Sequence, residues 1–395
     1  MQQKASGTVN PRPKTIEGPT APGGSNTRHQ GNIRDLTPKA GPGGRAPLSP
    51  SWFAAVMGTG IVANAAVSLP GGFAGLLDAA TVVWAAAALL LLALLFVYVR
   101  QRSLSAHAAD PVLSQFLGAV PMALLTVGAG TLLLGERVVG TDVAVGVAWT
   151  LWSAGTLLGL GTSCAVPYLM ITRHRFGSDA AFGGWLLPVV PPMVAASAGA
   201  LLIPRVPAGE LRLAMMLCCC AMLGLGFLAA LLVLAMVYSR LVHSDAPIGA
   251  VVPTVWIGAG ALGQTVTALG ALSTVAPTAL PASYAHGTAA AALLGGVGVW
   301  GFASLWLVLA TALTLREVRR GMPFAPTWWS FIFPLGACVT GAGSLASLTD
   351  SLMFTCCAIG LYMILVLAWV IVLGHSFRQV SPSTRRRAAG NRETD

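Results

Sequence analysis

From Ser51 onward the chain alternates between long apolar runs and short polar breaks. A helix needs about 20 apolar residues to cross a hydrocarbon core of about 30 Å, and each run is close to that length or longer. Ten spans are predicted, at 52–69, 75–99, 112–134, 142–170, 183–203, 211–239, 248–271, 288–314, 327–347 and 351–375. The stretch 271–288, "ALSTVAPTALPASYAHGT", reads as a loop. Residues 1–47 are rich in Gly, Pro, Ser, Thr and Arg with almost no apolar run, so they bury too little to offset the entropy of ordering. They read as a disordered basic tail, without the apolar core and cleavage site of a secretory signal. Residues 377–395 read as a second basic tail, leaving 48–376 as the membrane domain.

The spans are of two kinds. Odd spans carry prolines: Pro50 just before span one, Pro121 in span three, Pro188, Pro191 and Pro192 in span five, Pro253 in span seven and Pro334 in span nine. Even spans are Leu/Ala/Val runs such as "TVVWAAAALLLLALLFVYV", with Pro167 near one end of span four. Prolines are commoner in membrane helices than in soluble ones, but general enrichment does not segregate them by parity. The spacing from Trp185 to Pro191 also recurs from Trp328 to Pro334. The pattern predicts an all-α membrane protein of ten transmembrane helices, arranged as five tandem helical hairpins in a parallel repeat around a central pore.

Composition and charge set the orientation. The 395 residues are 55% hydrophobic and 9% charged, against about a quarter charged in soluble domains. Positive loops stay cytoplasmic. With the N-terminus inside, 20 of the 23 Lys and Arg fall in cytoplasmic segments, and only Arg137, Arg205 and Arg212 face outward. Both termini are therefore expected in the cytoplasm of a multi-pass protein of the cell membrane. Topology alone accounts for the formal net charge of +10, so no nucleic-acid partner is implied.

Catalytic chemistry is missing. No Lys, Arg or Glu lies inside a span away from its ends, and the sole Asp is Asp78 near the outer end of span two. Zinc-protease, serine-hydrolase, paired-aspartate and P-loop patterns are absent, which argues against an enzyme. The seven cysteines sit in apolar stretches with no C-x-x-C pair and read as small hydrophobes, with no metal site and no cofactor implied.

The odd spans instead place backbone breakers beside small polar side chains: Gly58, Thr59 and Asn64; Pro121 and Thr126; Pro191, Pro192 and Ser197; Pro253 and Gln264; Ser330, Pro334 and Thr340. Irregular backbone at membrane depth survives only where it is buried in protein or lines a watery cavity. These residues are the expected lining of an anion pathway. At Pro334 the missing N–H leaves the Ser330 carbonyl without a helical partner, and a half-helix starting near Leu335 and Gly336 would turn its positive end toward a small anion. Trp52, Trp185, Trp328 and Trp329 read as interfacial anchors, and Gly155 and Gly159 as points of close helix approach. Phe333, with Phe331 two residues away, is ambiguous from these considerations alone.

Four stretches resemble one family. "SWFAAVMGTGIVANAAVSLP" (51–70), "GGWLLPVVPPMVAASAGAL" (183–201), "GAGALGQTVTALGAL" (258–272) and "WWSFIFPLG" (328–336) are similar, in order, to the first, fifth, seventh and ninth spans of the tellurite-resistance and dicarboxylate transporter family. That superfamily includes the slow anion channels, malate permeases and sulfite efflux pumps. The resemblance implies five hairpins around a pore, a homotrimer with one pore per subunit, and Phe333 as the gate that plugs it. The expected function is passage of small anions such as sulfite or C4-dicarboxylates (malate), in the direction of efflux. The alternative on the same fold is a proton-coupled C4-dicarboxylate transporter, for which His107, His174, His243, His286, His375 or Asp78 would have to titrate.

Overall fold

The computed structural model describes residues 48–73, 75–177 and 179–380. The expected tail over 1–47 lies outside these residues, as does 381–395. Residues 377–380 continue the last helix, which runs Leu352–Val380.

Among the described residues there is no strand, and helix forms at every predicted span. Nine spans are continuous helices. Span five is interrupted: a 3-10 turn Gly183–Leu186 gives way to turns over 187–190 before the α-helix Pro191–Leu202. Three prolines explain the break, because each lacks an N–H and disfavours helix in the residue before it. Pro191 and Pro192 then lead the new helix, where their missing N–H groups are not needed.

The expected loop 271–288 is nearly all helix. Span seven runs on to Val275 and a 3-10 turn Ala276–Thr278, and span eight starts at Ala282. Pro281 divides them: it cannot extend the first helix, but its carbonyl accepts the Tyr284 and Ala285 amides at 3.0 Å each and starts the second.

The five odd spans share one device. Each opens as a 3-10 helix, at Pro50–Trp52, Leu113–Gly118, Gly183–Leu186, Gly249–Trp256 and Pro326–Phe331. Each continues as an α-helix, from Phe53, Ala119, Pro191, Ile257 and Ile332. Side chains cap several of the 3-10 starts. Ser49 Oγ accepts the Ser51 amide at 3.3 Å, Asp110 Oδ1 accepts Val112 and Leu113 at 2.8 Å each, and Glu317 Oε1 accepts Gly249 at 3.0 Å.

The device corrects the expectation at Pro334. The α-helix begins at Ile332, before the proline, so Pro334 occupies a first turn and does not create a half-helix at Leu335. The Ile332 amide donates to Trp329 O, and Ile257 and Ala119 are paired in the same way with preceding 3-10 carbonyls. Because 3-10 pairing continues into the α ladder, these junctions do not offer a row of free N–H groups to an anion.

Burial separates the spans as their prolines do. The most apolar 18-residue windows of spans one, three, seven and nine are 83–89% buried, and those of the even spans 17–33%. The α-helices of spans one, three, five, seven and nine touch one another in sequence and span nine returns to span one, closing an inner ring. Every odd span also packs against the even span that follows it, giving five hairpins with the even helices outside. The 3-10 segments form a second closed ring beneath the first. Its contacts demand glycine. A Cβ on Gly118 would overlap the Leu187 carbonyl, and one on Gly183 the Thr254 carbonyl.

Gly155 and Gly159 do sit at close approaches, against Leu125 and Pro191 respectively. Two tryptophans differ from the interfacial expectation. Trp185 and Trp329 are buried within the protein, and the Trp329 indole N–H donates to Ser376 Oγ of span ten at 3.1 Å. Rings this large fill the space where 3-10 segments meet outer helices.

Candidate functional site

The inner ring encloses a cavity of about 250 Å³. Side chains one helical turn apart share a face, and each odd span turns one such face inward. Span one contributes Ile61, Asn64 and Ser68; span three Leu125, Thr126 and Ala129; span five Val194, Ser197 and Leu201; span seven Gln264, Thr267 and Ala271; span nine Phe333, Thr340 and Ser344. No ionisable side chain lines it among the described residues.

The polar groups are tied to one another and to backbone. Asn64 Nδ2 donates to Thr126 O at 3.0 Å, and the buried Asn64 Oδ1 has no partner among the described residues. Gln264 Nε2 donates to Ser197 Oγ at 2.6 Å, which in turn donates to Val194 O at 3.0 Å. The Thr267 and Thr340 hydroxyls lie 2.6 Å apart. Each amide nitrogen carries a second hydrogen that these bonds leave unused. An anion here would meet neutral amide and hydroxyl dipoles in an otherwise apolar wall, where such dipoles act more strongly than in water.

Phe333 forms the floor. It also lines a second void of about 10 Å³ on the side of the 3-10 ring, with Met57, Met122, Leu187, Val190, Ile257, Ser330 and Pro334. It is 3% exposed and is shared by the walls of both spaces. Phe331 is turned elsewhere, with its ring edge-on to Trp256 at 5.5 Å and to Trp328 at 6.0 Å.

Of the lining residues expected from sequence, Asn64, Thr126, Ser197, Gln264 and Thr340 meet around the larger cavity, and Ser330 and Pro334 around the smaller. The other six lie outside both. Thr59 accepts the Trp369 indole N–H at 3.2 Å and so faces span ten. Gly58 packs on Trp329 and Ile332. Pro121 and Pro191 face span four, beside Gly155 and Gly159. Pro192 and Pro253 are buried away from the cavity walls. These prolines and glycines shape the helices; the side chains one turn further along reach the axis.

Ser68, Thr267 and Ser344 were not anticipated. Each stands three or four residues beyond an anticipated lining residue, Asn64, Gln264 and Thr340, so helical spacing was the available signal. The end of the cavity away from the 3-10 ring was also unforeseen. Span three widens there into a π-helix, Thr131–Gly135, against the Trp84 ring, which fits because Gly130 and Gly135 lack side chains. Leu133 of that turn lines the cavity. Just beyond it Glu136 pairs with Arg205, which follows span five.

Known proteins are similar to this chain over most of its length. Residues 47–377 match the model of the voltage-dependent anion channel family. The chain is 29% identical over 337 residues to the sulfite efflux pump of Arthroderma otae, covering 82% of this chain and 88% of that protein. It is 28% identical over 335 residues to the sulfite efflux pump of Trichophyton rubrum, with coverage of 82% and 88%. An uncharacterized transporter of Methanocaldococcus jannaschii is 31% identical over 333 residues, with coverage of 82% and 91%. The family and these relatives are membrane transporters or channels, not enzymes. The chain belongs to the voltage-dependent anion channel family.

Proposed function

We propose that this protein passes small anions of the sulfite class along the axis of its inner helix ring, down their electrochemical gradient, with Phe333 as the gate. The observation that carries the reading is the position of Phe333, whose ring lines both the 250 Å³ cavity and the void beneath it. Removing that ring joins the two spaces.

The lining supports an anion over a cation through donor dipoles rather than charge, and its modest size suits a small oxyanion keeping part of its hydration. Sulfite is favoured because the fungal relatives are sulfite efflux pumps; malate and other C4-dicarboxylates are the second class to test. Efflux is the proposed direction for an anion moving down its electrochemical gradient. A negative interior contributes about 2.3 kcal/mol per charge per 100 mV in that direction. The absence of a titratable side chain from the cavity wall, among the described residues, argues for passage without proton coupling. We further propose a homotrimer in the cell membrane, each subunit with its own path.

The test is anion flux in proteoliposomes at fixed voltage, with sulfite, malate, succinate, nitrate and chloride. Sulfite is expected to move fastest, independently of an imposed pH gradient, and Phe333→Ala is expected to raise its flux. Wild-type and Phe333→Ala fluxes both equal to empty liposomes would overturn the reading. Flux that follows the pH gradient would replace it with the coupled one.

A further inference from the structure

Phe333 is not the last apolar barrier on the axis. On the side of the 3-10 ring the remaining void is about 10 Å³, at the lower limit of space for one water. Its wall draws on all five inner spans, with Met57 from span one, Met122 from span three, Leu187 and Val190 from span five and Ile257 from span seven. These five side chains are between 1 and 5% exposed. Ser330 of span nine supplies the polar side chain of the wall. The cavity on the other side of Phe333 is far larger and has a polar side chain from every inner span. The axis is thus asymmetric about Phe333, roomy and polar on one side, tight and dry on the other.

An apolar constriction stops ions without blocking them sterically, because water leaves it and an ion cannot shed its hydration there. A ring of this kind contributes to closure whether or not Phe333 is in place. We infer that Met57 and Met122, with Leu187, Val190 and Ile257, form a second, inner closure in series with Phe333, each adding its own barrier to conduction. The inference rests on the axial path proposed above. Methionine suits the role, since three rotatable bonds let it leave an opening by changing rotamers without moving a helix. Met57 and Met122 stand four residues before Ile61 and Thr126 of the larger cavity, on the same helix faces, so they are the next contacts along the path.

Series closures give a non-additive result when they are removed. Sulfite flux is measured in proteoliposomes of the full chain for the wild type, Phe333→Ala, Met57→Gln/Met122→Gln, and all three changes together. Glutamine keeps the length of methionine and wets the constriction. With Phe333 present, the glutamine pair is expected to stay within about twofold of wild type; in the Phe333→Ala background it is expected to add at least about a further tenfold. Met57→Leu/Met122→Leu, which stays apolar, is expected to leave Phe333→Ala flux unchanged. If the double glutamine variant does not purify as a folded species, the single Met57→Gln and Met122→Gln changes on the same background make the comparison. Phe333→Ala flux that no glutamine change raises overturns the inner closure and leaves the axial path standing. No flux in any variant overturns both.

Discussion

The side-chain oxygens of Thr267 and Thr340 lie 2.6 Å apart across the contact of spans seven and nine, and both line the cavity. Thr340 also reaches its own helix at Ala337 O, 3.1 Å away, and Thr267 reaches Gly263 O at 3.0 Å. The pair therefore ties two inner helices together and presents oxygen to the axis. Thr340→Val keeps the shape of the side chain and removes the hydroxyl. Loss of one hydrogen-bonded partner is expected to lower stability by about 1 kcal/mol and to reduce sulfite flux several-fold, whereas Thr340→Ser retains most of both. Melting in detergent and liposome flux check the two effects separately. Full flux in Thr340→Val would remove the hydroxyl from the anion path.

The threonine pair also shows what could be read from sequence and what could not. Thr340 was legible because a hydroxyl stands out in an apolar span, and proline segregation revealed which spans lie inside. Thr267 was hidden because it enters the cavity through its spacing from Gln264, which requires knowing which face of span seven is inward. Helix phase is set by neighbours, here Gly260 against Pro334 and Gly263 against the Ala337 and Cys338 backbone. The same limit explains Thr59: five residues before Asn64, it lies on a different face of the helix and meets Trp369 instead of the axis. The 3-10 openings were not legible, because prolines report only that α pairing is disturbed, not which pairing replaces it.

Phe331 and Phe333 are two residues apart and do different work. Phe331 packs edge-on between Trp256 and Trp328. Truncating it removes two aromatic contacts, each worth about 0.5–1.5 kcal/mol. Phe331→Ala is expected to lower the melting temperature with little gain in flux, and Phe333→Ala to do the reverse. Equal flux gains from both substitutions would mean that loosening this corner, rather than unplugging the axis, opens the path.

His107, outside the predicted membrane spans, is expected to make stability pH-dependent. It is 2% exposed on the short helix Leu104–Ala109, its Nδ1 is 3.1 Å from Tyr98 Oη, and its Nε2 has no partner among the described residues. Burial holds its pKa below the ordinary 6.5, with the Asp110 carboxylate pulling the other way. As pH falls through 6.5 the unfolded chain takes up a proton that the folded chain resists, so stability is full above 6.5 and declines below it. His107→Phe keeps a ring stacked on Tyr98 and cannot titrate. It is expected to flatten the fall in melting temperature between pH 7.5 and 5.5; parallel curves for the two proteins would clear His107 of this role.

Arg205 and Glu136 bring opposite charges to the end of the cavity away from the 3-10 ring. The Arg205 guanidinium holds the Leu201 carbonyl at 2.9 Å and pairs with the Glu136 carboxylate. Leu201 lines the cavity four residues before Arg205, and Leu133 three residues before Glu136, so both charges stand one turn above the wall. Their side chains are 33 and 28% exposed, and a pair so open to water contributes only about 0–1 kcal/mol to stability. Its effect on passing anions is expected to be larger, since a mouth with low-dielectric walls focuses the field of its charges. Glu136→Gln leaves Arg205 unopposed and is expected to raise sulfite flux about threefold at low salt; Arg205→Gln leaves a bare carboxylate at the exit and is expected to lower it by a similar factor. Changing both residues restores the balance and brings flux back near wild type. All three differences should shrink at about 1 M salt, where the Debye length is about 3 Å. Single variants that match wild type at low salt would place the anion's exit away from this pair.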